Sequence, residues 1–363
     1  MNVSFDRPDS FLALSDHDFQ AVLLEGVSRT FALTIPQLPK GLLAPVANAY
    51  LLCRIVDTVE DEVALTVDQK QTFCHRFITV VNTGEGGAAF ADALVPLLSE
   101  QTLQAERALV ALTPRVIAIT HGFTPEQVAA LSECVAIMAE GMPSYQLKDM
   151  RHGLPTLADM DRYCYHVAGC VGEMLAKLFC HYSPDIARHR DALLPLSVSF
   201  GQGLQMTNIL KDIWDDLERG VCWLPQDVFT ETGFDLHDLQ PGTSTPEFRA
   251  GLEHLIAIAR DHLENALQYT LLLPAREVGL RNFCLLALGM AILTLRKIKQ
   301  QLAFTQSSEV KISRRQVKTT VAVSRLAVKS DRLLNALFYL YSRPLRCPDW
   351  RYTPSMKSVN TTL

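Results

Sequence analysis

Apolar residues recur at helical spacing along most of the chain. The segment Gly41–Glu62 illustrates the pattern, and its apolar positions are Leu42, Val46, Ala49, Tyr50, Cys53 and Val56. No run alternates apolar and polar residues between turn signals, as a strand on the surface of a sheet would. The pattern therefore predicts an all-α protein, a bundle of roughly ten or more helices.

Breaks rich in proline and glycine divide this pattern into segments. The predicted helices are Asp16–Val27, Gly41–Glu62, Asp68–Val81, Ala88–Leu112, Thr124–Tyr145, Leu157–Cys180, Ile186–Glu218, Pro246–Leu273, Gly279–Leu302 and Ser313–Tyr341. Loops are predicted at Asn82–Gly87 and Gln240–Pro246. We expect one domain over residues 1–342 and an irregular tail over residues 343–363.

The composition excludes several classes of protein. Apolar residues make up 48% of the chain, which excludes a disordered protein. The chain has 34 Lys and Arg against 39 Asp and Glu, a net charge of −5, so no basic surplus is available for nucleic acid. Nine cysteines include no C-x-x-C pair, which favours buried thiols over a disulfide framework or a zinc site.

No targeting or membrane-spanning segment is predicted. The N-terminal residues lack the basic start and apolar run of a signal peptide. No window holds 18 uninterrupted apolar residues, and the nearest candidate, Leu333–Tyr341, has nine residues with Asn335 among them. We therefore expect a cytoplasmic protein without a transmembrane anchor.

Two acidic patterns carry the candidate chemistry. Asn208, Asp212 and Asp216 are four residues apart, so they share one helical face. Their oxygens would repel one another unless a cation lies between them. A lone pattern of this kind is more often a solvated acidic face. The second pair, Asp57 and Asp61, has the same spacing and favours a metal site.

Hard oxygen ligands favour Mg²⁺ or Mn²⁺, and Mg²⁺ often binds one or two carboxylates together with phosphate oxygens. Basic side chains that suit a diphosphate stand beside both patterns. They are Arg29, Arg54, Lys211 and Arg219. Arg54 or Arg219 taken singly fits a surface ion pair better. Together with the acidic pairs, they favour a site that binds a diphosphate and its metal.

Apolar and aromatic side chains that would shield a carbocation from water are also present. The candidates are Phe31, Tyr50, Val167, Val171, Leu175 and Phe283, although each alone fits an ordinary core position. Tyr163 is a candidate hydroxyl, with a buried structural tyrosine as the alternative. Ala168, Gly169 and Gly172 would let a helix or a ligand approach closely. No nucleotide-binding fingerprint is present, because Gly201-Gln-Gly203 lies in a helical pattern.

Four motifs in one order resemble those of the squalene and phytoene synthase family. They are Ser28-Arg-Thr-Phe31, Arg54-Ile-Val-Asp57-Thr-Val-Glu-Asp61, Tyr163-Cys-Tyr-His-Val-Ala-Gly169 and Thr207-Asn-Ile-Leu-Lys-Asp212 continuing to Asp216. The resemblance covers roughly Gly26–Val317 and is specific to this family. Three features are more similar to its squalene-synthase branch. They are Asp57-Thr-Val-Glu-Asp61, Asn282-Phe-Cys with Met290–Leu295, and Val310-Lys-Ile312 with Arg314 and Arg315.

The resemblance implies an isoprenoid-synthase helical bundle with a central active-site cavity. It also implies a metal-dependent, head-to-head coupling of two farnesyl diphosphates to presqualene diphosphate, which NADPH then reduces to squalene. The implied metal ligands are Asp57, Asp61, Asn208, Asp212 and Asp216. Ser28, Arg29, Arg54, Lys211 and Arg219 would bind diphosphate, and Tyr163 would take up a proton. The implied NADPH contacts are Asn208, Phe283, Lys311, Arg314 and Arg315.

Some positions depart from the family pattern. Lys211 stands where arginine is usual, which keeps the charge but loses the two-pronged geometry. Ser313 interrupts the basic run after Ile312, and Thr30 replaces the commoner serine. The C-terminal membrane anchor of eukaryotic members is absent from this sequence, so we expect a soluble or peripherally attached protein. Because the implied product is apolar, we expect membrane contact through Leu333–Tyr341, and we expect a monomer.

Other functions remain open on the sequence alone. Within the family, a dehydrosqualene, phytoene or hydroxysqualene synthase would not use NADPH as a hydride donor. A non-catalytic helical scaffold would need neither the acidic pairs nor Tyr163. A metal-dependent diphosphatase would account for the carboxylates, but it would not need the apolar and aromatic side chains.

Overall fold

A computed structural model of the protein describes residues 3–28, 30–146 and 149–347, apart from the side chain of Gln146. Arg29 and the tail beyond Cys347 lie outside the described residues. The chain divides into two compact units, one formed by Met1–Leu147 with Lys177–Pro184 and the other by Lys148–Ala176 with Asp185–Leu363. The prediction of one domain over residues 1–342 stays a prediction.

The first unit is built from helices. They are α1 (Asp16–Val27), α2 (Phe31–Thr34), α3 (Lys40–Asp61), α4 (Val67–Thr83), α5 (Gly87–Leu94), α6 (Gln104–Ala111), α7 (Thr113–Thr120), α8 (Pro125–Gly141) and α9 (Pro143–Gln146), with 3₁₀ turns at Pro8–Phe11, Ile35–Gln37 and Val95–Leu97. Helix α3 is central, because it packs against α1, α4, α6, α7 and α8. Its residues Leu51, Leu52, Ile55 and Val59 are fully buried. This packing fixes the part of α3 that precedes the first acidic pair.

Polar residues in the sequence set where several of these helices begin. Thr66 and Gln69 form a reciprocal capping box at the start of α4, and Thr124 and Gln127 form another at the start of α8. Each box satisfies backbone N–H groups that have no partner within the helix. Gly84 follows the end of α4 with a φ of 78°, a conformation that favours glycine.

The second unit is organised around one long helix. Its elements begin with α10 (Leu157–Cys164) and a π-helical turn (Tyr165–Gly169), and they continue with α11 (Cys170–Tyr182), α12 (Pro184–Ala187), α13 (Arg190–Glu218), α14 (Gln226–Glu231), α15 (Pro246–Leu272), α16 (Val278–Gln300), α17 (Ser307–Val310), α18 (Arg314–Ala327) and α19 (Asp331–Ser342). The final residues of α11 and the first residue of α12 belong to the first unit. Helix α13 packs against α10, the π-helical turn, α15, α16 and α17.

Glycines allow α13 to touch its neighbours at the backbone. A Cβ atom at Gly201 would lie 2.1 Å from the carbonyl oxygen of Ala168, and one at Gly172 would lie 2.1 Å from that of Ser197. A Cβ atom at Gly203 would meet the Cβ of His262 at 2.8 Å. The small residues predicted to allow close approach therefore accommodate another helix, α13.

The all-α prediction is confirmed, since residues 3–28, 30–146 and 149–347 contain no strand and only one isolated bridge, Leu154 with Pro225. The bounds predicted for α1 are confirmed. Four predicted helices were wrong as continuous elements. The one predicted at Thr124–Tyr145 is divided at Met142, and the one predicted at Ile186–Glu218 is divided between Ala187 and Arg190. The one predicted at Ala88–Leu112 stops at Leu94, because Pro96 cannot donate a helical hydrogen bond. The one predicted at Ser313–Tyr341 breaks at Val328–Ser330, where the Ser330 side chain caps a new helix.

Within the part of the chain that the structure describes, two helices have the length and hydropathy of a membrane-spanning helix. They are Lys40–Asp61 and Val278–Gln300, whose most apolar windows are 72% and 67% buried within the protein. Burial of this extent is typical of the core helices of a folded protein, so the two helices are weak support for a membrane span.

Candidate functional site

The first acidic face lies at the C-terminal end of α3. Asp57 and Asp61 are one helical turn apart, and Asp61 is the last residue of the helix. Nη1 of Arg54 lies 3.7 Å from Oδ2 of Asp57, and Nε of Arg54 lies 3.6 Å from Oε1 of Glu106. The single guanidinium group of Arg54 therefore lies within ion-pairing distance of two carboxylates, Asp57 and Glu106. Glu106, on α6, was missed from the sequence because no local spacing links it to this pair.

This face is short of positive charge. Desolvation raises the pKa of Asp57 to about 7. The nearby carboxylates of Asp61 and Glu106 contribute to this rise, whereas Arg54 opposes it. The negative end of the α3 dipole adds to the mismatch. A divalent cation would supply the missing charge, so this donor set fits Mg²⁺.

Arg54 is tied to the end of α1. Its Nη2 donates to the carbonyl oxygen of Val27 over 3.3 Å, and the hydroxyl of Tyr50 donates to the same oxygen over 3.3 Å. The Tyr50 ring lies 5.1 Å from the ring of Phe31, centroid to centroid. The structure thus brings together three residues predicted for the site, Arg54, Tyr50 and Phe31.

The Ser28 motif caps the start of α2. The Oγ atom of Ser28 accepts a hydrogen bond from the backbone N–H of Phe31 over 3.0 Å. Arg29, predicted to bind diphosphate, lies outside the described residues. The role of Ser28 in diphosphate binding stays a prediction.

The second acidic face lies at the C-terminal end of α13. Lys211 approaches two of its members, since Nζ is 3.1 Å from Oδ2 of Asp212 and donates to Oδ1 of Asn208 over 3.4 Å. Nη2 of Arg219 donates to Oδ1 of Asp216 over 2.6 Å. Each carboxylate of this face therefore has a cation of its own.

The opposite side of α13 fixes the direction of this face. Trp214 is fully buried, and its indole N–H donates to the carbonyl oxygen of Phe304 over 2.7 Å. The hydroxyl of Ser307 donates to Asp215 over 2.7 Å. These bonds hold the helix in one rotation, with Asn208, Asp212 and Asp216 on the less buried side.

No group of three or more His, Cys, Asp or Glu that would hold a metal by itself occurs within residues 3–28, 30–146 and 149–347. Each face instead offers two carboxylates one turn apart, and α13 adds an amide oxygen. This set suits Mg²⁺ that takes part of its coordination from phosphate oxygens and water.

Tyr163 is nearly buried, with 6% of its surface exposed. Its ring stacks on the indole of Trp223, with centroids 3.7 Å apart and planes within 10°. Backbone hydrogen bonds join Leu154 N–H to the Leu224 carbonyl oxygen and Gln226 N–H to that of Leu154, each over 2.8 Å. They hold the segment of Trp223 in place. Trp223 was not among the predicted site residues.

A half-exposed apolar stripe follows Tyr163. Val167, Val171 and Leu175 recur every four residues and are each only partly buried. Phe31 and Tyr50 are also partly buried, whereas Phe283 is buried at 6% exposure. Apart from Phe283, these candidates are more exposed than ordinary core residues.

The family model for squalene/phytoene synthases matches residues 24–316 of this chain. The chain belongs to the squalene/phytoene synthase family. Squalene synthase ERG9 of Gibberella zeae is 29% identical over 272 residues, which cover 74% of this chain and 55% of that protein. This member of the family therefore spans little more than half the length of that relative.

Solved structures share the fold of this synthase-family chain. A structure of TcSQS with a ligand has a TM-score of 0.74 and 23% identity, covering 93% of this chain and 94% of that one. A dehydrosqualene synthase with a ligand has a TM-score of 0.63 and 21% identity, covering 89% and 100%. The predicted isoprenoid-synthase fold is confirmed.

The residues that the family resemblance implies as NADPH contacts lie on α13, on α16 and at the start of α18. Lys311, Arg314 and Arg315 are exposed at the start of α18. Ser313, which interrupts this basic run, caps the helix by accepting from the N–H of Gln316 over 3.2 Å. A helix N-terminus flanked by arginines suits a phosphate group. Asn208 lies on α13.

Phe283 lies on α16 next to a residue that the sequence reasoning did not assign. Asn282 is 6% exposed, and its Oδ1 atom has no hydrogen-bond partner among the described residues. A buried carbonyl oxygen in this state costs stability unless a ligand or water donates to it. The carboxamide of a nicotinamide ring carries such a donor, so Asn282 fits the predicted cofactor.

Proposed function

We propose that this chain is a squalene synthase that couples two molecules of farnesyl diphosphate head to head. The first product would be presqualene diphosphate, which an NADPH-dependent step would reduce to squalene. The observation that most supports this proposal is the pair of acidic faces on α3 and α13. Each face has a basic side chain within hydrogen-bonding or ion-pairing range. Membership of the family and the squalene synthases among its relatives support the proposal.

The acidic residues would hold Mg²⁺ or Mn²⁺, with Asp57 and Asp61 on α3 and Asn208, Asp212 and Asp216 on α13. The bound metal would withdraw charge from the diphosphate and make it a better leaving group. Arg54 already approaches Asp57, and Lys211 and Arg219 already approach Asp212 and Asp216. These cations, with Ser28 and Arg29, would bind the remaining phosphate oxygens.

Departure of diphosphate leaves an allylic cation, which the double bond of the second substrate attacks. Tyr163 is proposed to accept the proton lost as the cyclopropane ring closes. Its stacking on Trp223 restricts the ring to one orientation, which favours a fixed position of the phenol oxygen. The apolar stripe Val167, Val171 and Leu175 would keep water from the cation.

In the second step the remaining diphosphate leaves and the carbon skeleton rearranges. NADPH, when bound, would supply the hydride that quenches the cation. Lys311, Arg314 and Arg315 would bind its phosphates, while Asn208 and Phe283 are proposed as further contacts. Asn282 is added here because its buried oxygen needs a donor.

One experiment tests the overall proposal. The purified protein is incubated with farnesyl diphosphate and Mg²⁺, with and without NADPH, and the hydrocarbons are identified by mass spectrometry. Squalene formed only with NADPH supports the proposal. Dehydrosqualene or hydroxysqualene in both samples, or phytoene from geranylgeranyl diphosphate, would move the chain to another branch of the family. Diphosphate release without any coupled product would indicate a diphosphatase, and no turnover would favour a scaffold.

Tyr163→Phe tests the first step separately. The variant should lose at least about a hundredfold in conversion of farnesyl diphosphate, the scale of general acid–base catalysis. It should still reduce presqualene diphosphate supplied directly. Tyr165→Phe is the matched control, because Tyr165 is also buried and donates to Glu173 over 3.3 Å. Equal activity of Tyr163→Phe and wild type on farnesyl diphosphate would remove Tyr163 from the mechanism.

A further inference from the structure

The last two helices carry more than half of the exposed large hydrophobic residues of the described chain. Eleven large hydrophobic residues are exposed within residues 3–28, 30–146 and 149–347, and six of them lie on α18 and α19. We call these six the C-terminal docking face, namely Val323, Leu326, Leu333, Tyr339, Leu340 and Tyr341. Leu326 is 83% exposed and Leu340 is 68% exposed. Such a concentration indicates an interaction surface, since scattered single residues need no explanation.

The buried side of α19 explains why its apolar residues divide into two sets. Leu334 and Phe338, one turn apart, are buried. Leu333 and Leu340, seven residues apart, lie on a neighbouring face and remain exposed. The helix is therefore apolar on more of its circumference than the fold uses, which is typical of helices that also bind an external apolar phase.

The same segment is strongly basic in an acidic protein. Between Val310 and Cys347 the chain has nine Lys or Arg and one Asp, a net charge of +8, whereas the whole protein has −5. Lys311, Arg314 and Arg315 are assigned above to cofactor phosphates. Five further basic residues flank the docking face, namely Arg325, Lys329, Arg332, Arg343 and Arg346, and all five are exposed.

The acidic residues that lie against this segment are already paired. On α15, Glu264 accepts from the Tyr339 hydroxyl over 2.6 Å, and Asp261 accepts from Arg260 over 2.7 Å. Asp331 accepts from Nη1 of Arg281 over 2.6 Å, and Arg281 is 2% exposed. Two guanidinium groups also lie beside the exposed tyrosine rings, Arg296 at 5.5 Å from the centroid of Tyr341 and Arg346 at 5.8 Å from that of Tyr339. Tyrosine and arginine together are typical of the boundary between lipid and water.

We propose that the C-terminal docking face binds the surface of a membrane that contains anionic lipids. The exposed apolar side chains would enter the acyl boundary, and the five basic side chains would contact lipid phosphates. A second copy of this chain fits less well, because a two-fold interface would bring the same positive charges together. The proposal does not depend on the reaction that the chain catalyses.

Vesicle sedimentation of the full chain tests this proposal. Wild type is mixed with vesicles of phosphatidylcholine alone, or of phosphatidylcholine with phosphatidylglycerol, at low and high salt. We expect binding to the anionic vesicles that weakens with salt and little binding to the zwitterionic ones. The paired variant Lys329→Glu with Arg332→Glu should weaken binding by more than about tenfold, since each surface charge contributes about fivefold.

Apolar variants separate insertion from charge attraction. Leu326→Asp with Leu340→Asp should weaken binding at least tenfold, because both side chains leave water on docking. Leu103→Asp is the matched control, since Leu103 is 60% exposed in the first unit. Circular dichroism of each variant confirms that the fold is kept.

Several results would overturn the proposal. One is wild type that stays in the supernatant with anionic vesicles. Another is equal binding of wild type and the docking-face variants. A third is a dimer, seen by analytical ultracentrifugation, that Leu340→Asp dissociates while vesicles bind neither form. Capture of an acidic protein without vesicle binding would likewise replace the lipid surface with a protein partner.

Discussion

The two acidic faces contain the same kinds of residue but balance their charge differently. On α3, Asp57 depends on Arg54 at 3.7 Å, and Arg54 is shared with Glu106. On α13, Asp212 has Lys211 at 3.1 Å and Asp216 has Arg219 at 2.6 Å. The first face is therefore the one that most needs an external cation.

This difference shows that matching motifs do not imply matching electrostatics. The spacing of Asp57 and Asp61 repeats that of Asp212 and Asp216. Desolvation is the main reason that the pKa of Asp57 is raised, and Asp61 and Glu106 add to it, the latter from another helix. A repeated local pattern thus specifies which side chains share a face, while tertiary contacts specify how strongly they hold protons or metals.

The largest expected effect is loss of turnover when either face loses a carboxylate. Asp57→Asn and Asp212→Asn should each lower kcat by about a thousandfold, because a metal contributes several kcal/mol of charge stabilisation. Their melting temperatures should differ. Asp57→Asn should melt a few degrees higher than wild type, since it relieves a desolvated carboxylate. Asp212→Asn should not, because it leaves Lys211 without its ion pair.

Calorimetry and steady-state assays at saturating farnesyl diphosphate check both parts of this prediction. Asp68→Asn, at the exposed start of α4, is the control carboxylate. Full activity in either acidic-face variant would contradict the metal assignment. Equal shifts in melting temperature would contradict the difference between the faces.

Acid should weaken the second unit before the first. His262 on α15 bonds to Ser199 on α13, and burial lowers the pKa of His262 to about 4. An unfolded histidine titrates near 6.5. As pH falls, His262 therefore binds a proton in the unfolded chain before it does so in the folded chain. Up to about 3 kcal/mol of the free energy of unfolding is lost as pH falls from 6.5 towards 4.

Glu62, which follows α3, behaves differently in the first unit. Burial alone would raise its pKa, but hydrogen bonds from Thr102, Ala64 and Ser99 outweigh burial and lower it to about 2. Its contribution is lost only as pH falls from about 4.5 towards 2. Hydrogen exchange at pH 7 and pH 5 should show lost protection in α13 and α15 but not in α3. His262→Asn should remove most of that pH dependence, and an unchanged profile in this variant would refute the assignment.

Removal of the Arg54 guanidinium, which two carboxylates share, should lower activity more than removal of the exposed Arg219 guanidinium. Arg54→Ala should lower kcat/KM by tens of fold, since Arg54 serves two carboxylates and is 26% exposed at its side chain. Arg219→Ala should cost only a few-fold, because the Arg219 side chain is 62% exposed. Titration of activity with Mg²⁺ measures both, and Arg54→Lys should recover part of the loss. Equal effects at the two arginines would mean that the faces share charge more evenly than the contacts indicate.

The smallest effect should come from Lys211, the position that departs from the family pattern. Lys211→Arg should change KM for farnesyl diphosphate by less than about threefold, because the ammonium group already pairs with Asp212 and Asn208. Lys211→Gln, which removes the charge, provides the comparison. A tenfold gain on introducing arginine would show that lysine leaves a phosphate contact unmade.

The helical pattern was predictable where local signals dominate. The start of α1 follows from Ser15, whose side chain caps the helix, and the two acidic faces follow from four-residue spacing. Helix breaks were harder to predict. Ser330 caps α19 in the middle of a continuous amphipathic pattern, so periodicity alone gave one helix instead of two.

Contacts between distant segments were the main part of the site that the sequence did not reveal. Glu106 and Trp223 reach Arg54 and Tyr163 through tertiary packing, and no local motif marks them. Asn282 was visible only as part of a motif, because its unpartnered oxygen is a property of the folded core. The π-helical turn at Tyr165–Gly169 was likewise hidden within a helical pattern.

The backbone contact between Gly201 and Ala168 has a consequence for how this protein changes over evolutionary time. The contact leaves no room for a single additional carbon at residue 201. A larger residue there would push α13 away from the π-helical turn and carry Asn208 and Asp212 with it. A substitution at residue 201 therefore requires a compensating substitution in the π-helical turn that faces it. Ancestral reconstruction of the lineage should find the two segments replaced together or not at all.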